Sequence, residues 1–564
     1  MHPIIRVVAA CVALLITAAS AAEPERLDYT LTPVLENGAL TAIQFDLRFQ
    51  GEADGETKLS LPNSWGGQDE LYRGVEGLTV VSGAMLGDGE GPAQRVLTHR
   101  PNARIHVRYR VIQDWDGIPR AELGNTYRPV VQPTHFHIIG EGAFVAPEDI
   151  DRGVPVRVRV RDLPAGWSFA SDLEHEGLIV DRLWSSVLVG GDFRVLRDPE
   201  TNVRVAIRGT WSFADADFMR EVSDIIGGQR EFWGDAASPY LVTVLQLDGP
   251  EGWVSIGGTG LSDSFAFFAT PNGPASTITR TLAHESLHSW IPAQIGGAPE
   301  EGEALSYWLS EGFTDFYTGR LLVRDGVWTP QQFATDLNAM LRAYAQSSAL
   351  TEPNTRILAD FWNDRDVQHL PYQRGRMLAL IWDGRLRANG RSLDEILLEM
   401  RRRAQSDEDS KAADLFALAA PGFGLDISGE LAANIENGER ILLPEDLLAP
   451  CGRITTREVP VFHRGFDIEA TQANNNVVSG VDPTLPAYGA GVRNGMTLIR
   501  RDGGEIGNSE QEIAYVLRDG ETERTFRYMP RGHGSFTLQE LELADDLEGE
   551  RLAQCVRVLG GASS

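Results

Sequence analysis

Cysteine, positive charge and long apolar stretches are all scarce in this chain, and each scarcity excludes something. Three cysteines in 564 residues are too few for a small-domain scaffold held together by disulfides. Lysine and arginine number 51 against 80 aspartates and glutamates, a net charge of −29. The acidic residues are spread along the chain instead of gathering in a tail. That balance argues against nucleic acid or an anionic membrane surface as partner and favours solubility. Beyond the N-terminus no stretch reaches about 18 apolar residues, so no membrane span is expected there. There is no internal repeat and no low-complexity tract.

What remains is an ordinary globular composition, with 42% hydrophobic and 23% charged residues, which excludes a disordered chain. The length exceeds one hydrophobic core, and about two to four domains are expected. Residues 1–22 read as a signal peptide. Arg6 supplies the positive start, Val7 to Ala18 the apolar segment, and Ala19-Ser-Ala21 a small-residue cleavage site. A lipid attachment at Cys11 fits poorly, because too little hydrophobic sequence precedes it. The protein is therefore expected to be exported, periplasmic or secreted. Removing the signal leaves Cys451 and Cys555, a pair able to bridge in an oxidising compartment and tie the ends of the C-terminal segment together. Two unrelated buried thiols are the alternative.

From Leu27 to about Ile207 the pattern is β. Leu40 to Phe49, Ala103 to Val111 and Val156 to Arg161 alternate apolar and polar residues, with Gly, Pro, Asn and Asp between them. A β-sandwich or saddle-shaped sheet over residues 23–210 is expected. His135 and His137 share one strand face there, where a metal pair or a structural role are both open. The period changes near Phe213. Asp215 to Trp233 has a helical repeat, Tyr240 to Leu247 reads as a strand, and Trp253 to Ala269 as a glycine-rich edge strand. Mostly helical sequence follows to about Gly422, including Ser306–Arg324, Pro330–Ala345, Tyr372–Arg387 and Leu393–Ala404. Residues 211–445 thus resemble a thermolysin-like arrangement, a mixed-sheet lobe followed by a helical lobe. Asn437 to Pro450 reads as a linker. In 450–560, Val477 to Ile499 resembles the strand, short helix and turn of a PDZ domain. Gly465-Phe466-Asp-Ile468 stands where the carboxylate loop and the start of the binding strand would be. Such a domain either adds a bound peptide as a strand or only braces its neighbour.

The chain is organised around Thr281-Leu-Ala-His-Glu-Ser-Leu-His-Ser-Trp290. His284 and His288 are four apart, so on a helix they project from one face and can hold one zinc ion. Glu285 lies between them, placed to act on a water without being a ligand. A zinc site of this kind needs a third protein ligand, and Glu311 in Trp308-Leu-Ser-Glu-Gly-Phe-Thr-Asp315 supplies it. Asp315, one turn later, is placed to accept a hydrogen bond from a ligand histidine. The aromatic residues around these two carboxylates argue against a solvated helix face. Tyr372 is the candidate donor to the oxyanion, against a purely structural aromatic, with His369 as a weaker alternative.

With these residues assembled, the chain resembles the glycyl aminopeptidase family of gluzincin zinc metallopeptidases with a C-terminal PDZ domain. The resemblance rests on His284–Trp290, on Trp308–Tyr317, on Tyr372-Gln-Arg-Gly375 and on His137 to Pro147, and it covers nearly the whole chain in order. It implies a multi-domain α+β protein and an exported, zinc-dependent aminopeptidase removing small N-terminal residues from peptides, with Tyr372 stabilising the transition state. One departure stands out. The family's Gly-Gly-Leu-Glu-His is replaced by Gly257-Gly258-Thr-Gly260-Leu261-Ser262-Asp263, which puts Ser262 and Asp263 where Glu and His are expected if Leu261 is aligned. Gly257, Gly258 and Asp263 are the substrate-contact candidates. A zinc endopeptidase with PDZ-mediated recognition, or a non-catalytic peptide-binding protein, are the competing readings.

Overall fold

The computed structural model describes residues 26–121, 125–250, 252–407 and 409–561. The expected signal peptide at 1–22 lies outside them.

The N-terminal part is built of three sheets. In the largest, Leu27–Glu36 pairs in parallel with Val156–Val160 and antiparallel with Ala39–Gln50, followed by Arg104–Val111 and Val75–Ser82. The alternation of these strands sends Phe45, Leu47, Val107 and Tyr109 into one core. A smaller sheet of Ser168–Ser171, Val187–Gly191, His135–Ile139 and Val130–Gln132 forms the contact with the rest of the molecule.

That contact is made by a five-stranded sheet: β1 (Arg194–Asp198), β2 (Val203–Arg208), β3 (Tyr240–Gln246), β4 (Ile256–Gly260) and β5 (Ser264–Ala269), in the order β1-β2-β3-β5-β4. The strands β2, β3 and β5 are parallel, with antiparallel β1 and β4 at the edges. The expected boundary at 210/211 therefore falls after two strands of this sheet. Period-2 alternation tells which face of a strand is buried but not which sheet it joins. One face of the sheet packs Ala206, Leu241 and Phe268 on Val130, Ile139 and Val187 of the N-terminal part. The other packs Val205, Val242 and Phe267 on helices α1 (Asp215–Trp233) and α2 (Ala275–Leu287) through Val222, Ile278 and Leu282.

The helical lobe follows with α3 (Tyr307–Arg324), α4 (Pro330–Gln346), α5 (Arg365–Ala388) and α6 (Leu393–Ala404). A capping box between Thr329 and Gln332, with Pro330 in the first turn, starts α4. Helix α5 begins about two turns before Tyr372. Pro371 marks a helix boundary in sequence, yet Asp364 caps the backbone of Asp366 and Val367, and buried Val367 and Leu370 hold the first turns in place. Helices α3 and α5 touch through two glycines. A Cβ on Gly312 would lie 2.4 Å from the Gly375 Cα, and one on Gly375 would lie 1.8 Å from the Trp308 carbonyl oxygen. Only glycine allows this approach, and it brings Tyr372 of α5 to the same cleft as Glu311 of α3.

Residues 437–450 are not a linker. Ile441, Leu443 and Leu448 are buried in the core of the helical lobe, and Gln539 bonds the backbone of Leu443 in both directions. Two short apolar clusters, Ile441-Leu-Leu443 and Leu447-Leu448, separated by Pro444 show no period, which is why the segment reads as a connection. From there Gly452–Phe462 pairs with Arg531–Leu543 in a long ribbon fastened to α4 by Asn338 and Arg342. Between the ribbon strands a small lobe holds Thr497–Gly503, Ile513–Asp519 and Thr522–Tyr528 as one sheet. The short helix and the strand expected after it are present as Pro486–Gly489 and Thr497–Gly503. The peptide-binding strand expected from Ile468 is absent. Asp467 accepts from the Ala470 N–H at 2.9 Å and caps a helix, Ile468–Ala473, as aspartate favours at that position.

Cys451 and Cys555 are joined in a disulfide that links the start of the ribbon to the C-terminal helix Gly549–Gly560, across a sequence separation of 104. A loop that long gives cross-linking a large effect on the unfolded chain. The Cys451→Ser, Cys555→Ser double variant is expected to lose about 2–4 kcal/mol of stability in denaturant titration. An oxidised wild type no more stable than that variant would contradict the expectation.

Candidate active site

Helix α2 buries Ile278, Leu282 and Leu287 against the sheet and so turns His284 and His288 toward the cleft, one turn apart. Helix α3 brings Glu311 to the same point. The Glu311 Oε2 atom lies 3.2 Å from His284 Nε2 and 3.4 Å from His288 Nε2. These two imidazoles and one carboxylate are the sole group among the described residues placed to hold a metal, with ligand atoms within 4.8 Å of one another. The sequence-predicted trio is thus brought together.

The histidine tautomers follow from their outer partners. His284 Nδ1–H donates to Asp315 Oδ1 at 2.9 Å, and His288 Nδ1–H donates to the Ile291 carbonyl at 2.9 Å. Both partners can only accept, so each Nε2 carries a lone pair facing Glu311. Three electron-rich atoms converging in a half-closed site call for a cation, and two nitrogens with one carboxylate are a zinc donor set. Without a metal ion a proton meets the same demand at His284, between the two carboxylates. Burial pulls His284 down, but the Asp315 and Glu311 carboxylates outweigh it and push it up to about 9. Burial raises Glu311, but its bonds to the two histidines hold it down at about 2.

Sequence reasoning missed the support behind Asp315. Arg280, one turn before His284 on α2, pairs with Asp315 at 3.0 Å and with Asp336 of α4 at 2.6 Å, and Arg376 of α5 pairs with Asp336 at 2.7 Å. Alternating charges thus run from Arg376 to His284 and join four helices. The signal available was Arg280 itself, a charge one turn before His284 on the same helix face.

Glu285 is half-buried and lines two cavities, one beside His288 and the other beside His284. One, of about 730 Å3, is bordered by Tyr372, His369, Arg280 and Ile256. The other, of about 630 Å3, lies under the β4–β5 hairpin and reaches Arg182 and Ser185 of the N-terminal part. The Tyr372 ring stacks near His284, with centroids 5.8 Å apart. Burial, reinforced by Glu311, raises its hydroxyl far above the ordinary range, so it is a donor. His369 faces the same cavity, where burial lowers its pKa.

Strand β4 edges both cavities. Leu261 N–H bonds Ser264, and the Ser255 carbonyl accepts from Thr270, so the odd-numbered residues face β5. The backbone groups of Ile256, Gly258 and Gly260 then point to the open edge, where Tyr127 O–H donates to the Gly258 carbonyl at 2.9 Å. A Cβ on Gly260 would lie 4.0 Å from Glu285 Oε2. Gly260, rather than Ser262 or Asp263, is therefore the strand position facing Glu285, and it carries no side chain. Ser262 and Asp263 lie in the hairpin turn. There Ser262 N–H bonds the Ser185 carbonyl and Asp263 pairs with Arg182 at 3.4 Å. Gly257 points into open space.

His135 and His137 form no metal site, since no third ligand joins them among the described residues. His137 bonds Thr243 Oγ1 at 3.0 Å between the two packed sheets, and burial lowers both histidines to about 3.

Residues 277–364 match the family model of the M61 glycyl aminopeptidases. The matched stretch holds His284, Glu285, His288, Glu311 and Asp315. Among solved structures, an aminopeptidase N family protein from Idiomarina loihiensis shares 16% identity and a TM-score of 0.64, over 93% of this chain and 99% of that one. An M1 zinc metallopeptidase from Deinococcus radiodurans shares 18% identity and a TM-score of 0.43, over 75% and 96%. No curated protein matches the chain. The Idiomarina likeness is one of fold.

Proposed function

We propose that the chain is a zinc-dependent peptidase, acting as an aminopeptidase on peptides. The observation that carries this reading is the convergence of His284, His288 and Glu311 beside a half-buried Glu285, in a cleft bordered by the edge strand β4. Zinc at the trio would supply a Lewis acid for the scissile carbonyl and acidify a water. Glu285 would act as general base on the attacking water and pass the proton to the leaving amine. Tyr372 O–H donates to the oxygen on which charge develops. Asp315 fixes His284 in the tautomer that presents Nε2. The edge of β4 aligns the substrate as an added strand.

The hairpin-side cavity supports the exopeptidase form, because the Asp263–Arg182 pair and the Ser262–Ser185 bond tie its far end to the N-terminal part. At about 630 Å3 it is larger than a glycyl or alanyl side chain needs, so the small-residue preference implied by the resemblance is not carried over. Gly260 favours the endopeptidase alternative, since the strand offers no carboxylate for a free amine. A peptide with a free N-terminus should lose single residues in sequence, while its acetylated twin should stay intact. Internal cuts in both would establish the endopeptidase. Tyr372→Phe is expected to lower kcat by roughly 10^2–10^3 with KM little changed. An unchanged kcat would leave Tyr372 structural. The signal-like composition of residues 1–22 supports an exported protein, a reading that N-terminal sequencing of protein recovered from cell fractions would test.

A further inference from the structure

The direction of β4 orients the substrate. The strand runs from Ile256, at the Tyr372-side cavity, to Gly260, at the hairpin-side cavity. A peptide adding antiparallel, the more stable pairing, runs the opposite way, so the residue N-terminal to the scissile bond sits under the hairpin. The charges there are unequal in their partners. Asp235 is taken by Arg401 and by the Trp290 indole N–H, both at 2.6 Å, and Asp263 by Arg182. Arg230 differs. It is 6% exposed, yet its guanidinium donates only to neutral acceptors, the Thr201 carbonyl at 2.8 Å and Ser238 Oγ at 3.1 Å. No carboxylate lies within ion-pair distance of it among the described residues. The Tyr240 ring, 5.9 Å away, adds to these, while Asp263 and Asp235 act only from beyond ion-pair distance. A buried guanidinium without an anion is costly unless one arrives from outside, and its fork of donors matches a carboxylate.

We propose that the hairpin-side cavity is an anion subsite in which Arg230 receives the side-chain carboxylate of an acidic residue just N-terminal to the scissile bond. This deepens the peptidase reading and rests on it for the direction of the substrate. Asp235 and Asp263 do not neutralise Arg230, because each is already held by another arginine. Burial lowers the Arg230 pKa, with Tyr240, Asp263 and Asp235 opposing, and an entering carboxylate would restore it. Glutamine is nearly isosteric with glutamate but brings no charge, so the pair isolates the effect.

The test uses Glu-Ala-Ala-Ala-amide and Gln-Ala-Ala-Ala-amide. Calorimetry measures their binding to zinc-loaded Glu285→Gln protein, and wild type is assayed for cleavage of both. The glutamyl peptide should bind roughly tenfold or more tightly, and the ratio should collapse toward one when Arg230→Gln is added. Equal binding before that change overturns the proposal without any need for the Arg230 variant to fold. A third peptide, Gln-Ala-Ala-Ala with a free C-terminus, separates the two sources of carboxylate. If it alone shows the Arg230-dependent gain, the subsite reads a chain end and the acidic-residue proposal falls. A glutamyl preference in binding, with no cleavage of either peptide by wild type, upholds the subsite and sinks the peptidase reading instead.

Discussion

Replacing Glu285 by glutamine is expected to lower peptide cleavage by roughly 10^2–10^4 while leaving the zinc content unchanged. Glutamine keeps the volume and one acceptor but cannot take a proton. Glu285 is not among the three groups whose ligand atoms converge, and it borders both cavities, where a water and a peptide would meet. Its loss should therefore fall on kcat, with a far smaller change in KM. Loss of zinc together with activity would place Glu285 among the ligands and contradict this assignment. Full activity would remove the general base from the account.

The second large effect is expected at Asp315. This carboxylate is 6% exposed and sits between Arg280 at 3.0 Å and the His284 imidazole at 2.9 Å. Asp315→Asn removes the charge from both. His284 loses the partner that fixes its tautomer, which should weaken zinc binding roughly 10- to 100-fold. Arg280 keeps Asp336 at 2.6 Å, so the stability loss should lie toward the lower end of the about 3–5 kcal/mol typical of a broken buried pair. Burial opposes ionisation of Asp315, but Arg280 and His284 hold its pKa below the ordinary 3.8. Its folded pKa being depressed, the stabilisation is present above the unfolded value and is lost as pH falls through the folded one. In metal-free protein the difference between wild type and Asp315→Asn should thus be full near neutral pH and shrink below about pH 4. A difference constant down to acid pH would mean packing, not charge, is what Asp315 contributes.

The parts legible in sequence were those where local period and chemistry coincide. Asp215–Trp233 and Leu393–Ala404 appear as helices with the expected bounds, because their apolar stripes and caps agree. Two histidines four apart needed only a helix to share a face, and the distances now join them to Glu311. What was not legible depends on who packs against whom. The residues of β1 and β2 show a good β pattern, but nothing in it tells that they join the sheet of the cleft. Pro371 reads as a boundary until buried Val367 and Leu370 are seen to hold the turns before it. Gly260 was passed over in favour of Ser262 and Asp263, since only the pairing of Leu261 with Ser264 tells where the strand ends and the turn begins. Arg280, Asp336 and Arg376 lie on three different helices, and their charge chain exists only in the folded protein.

The most direct test of the central claim is the zinc content of purified, zinc-loaded and desalted protein, compared across wild type, Glu285→Gln, Glu311→Ala and His288→Ala. About one zinc per chain is predicted for the first two and a large loss for the last two. Zinc retained at full stoichiometry without Glu311 or His288, or absent from wild type, would contradict the site described.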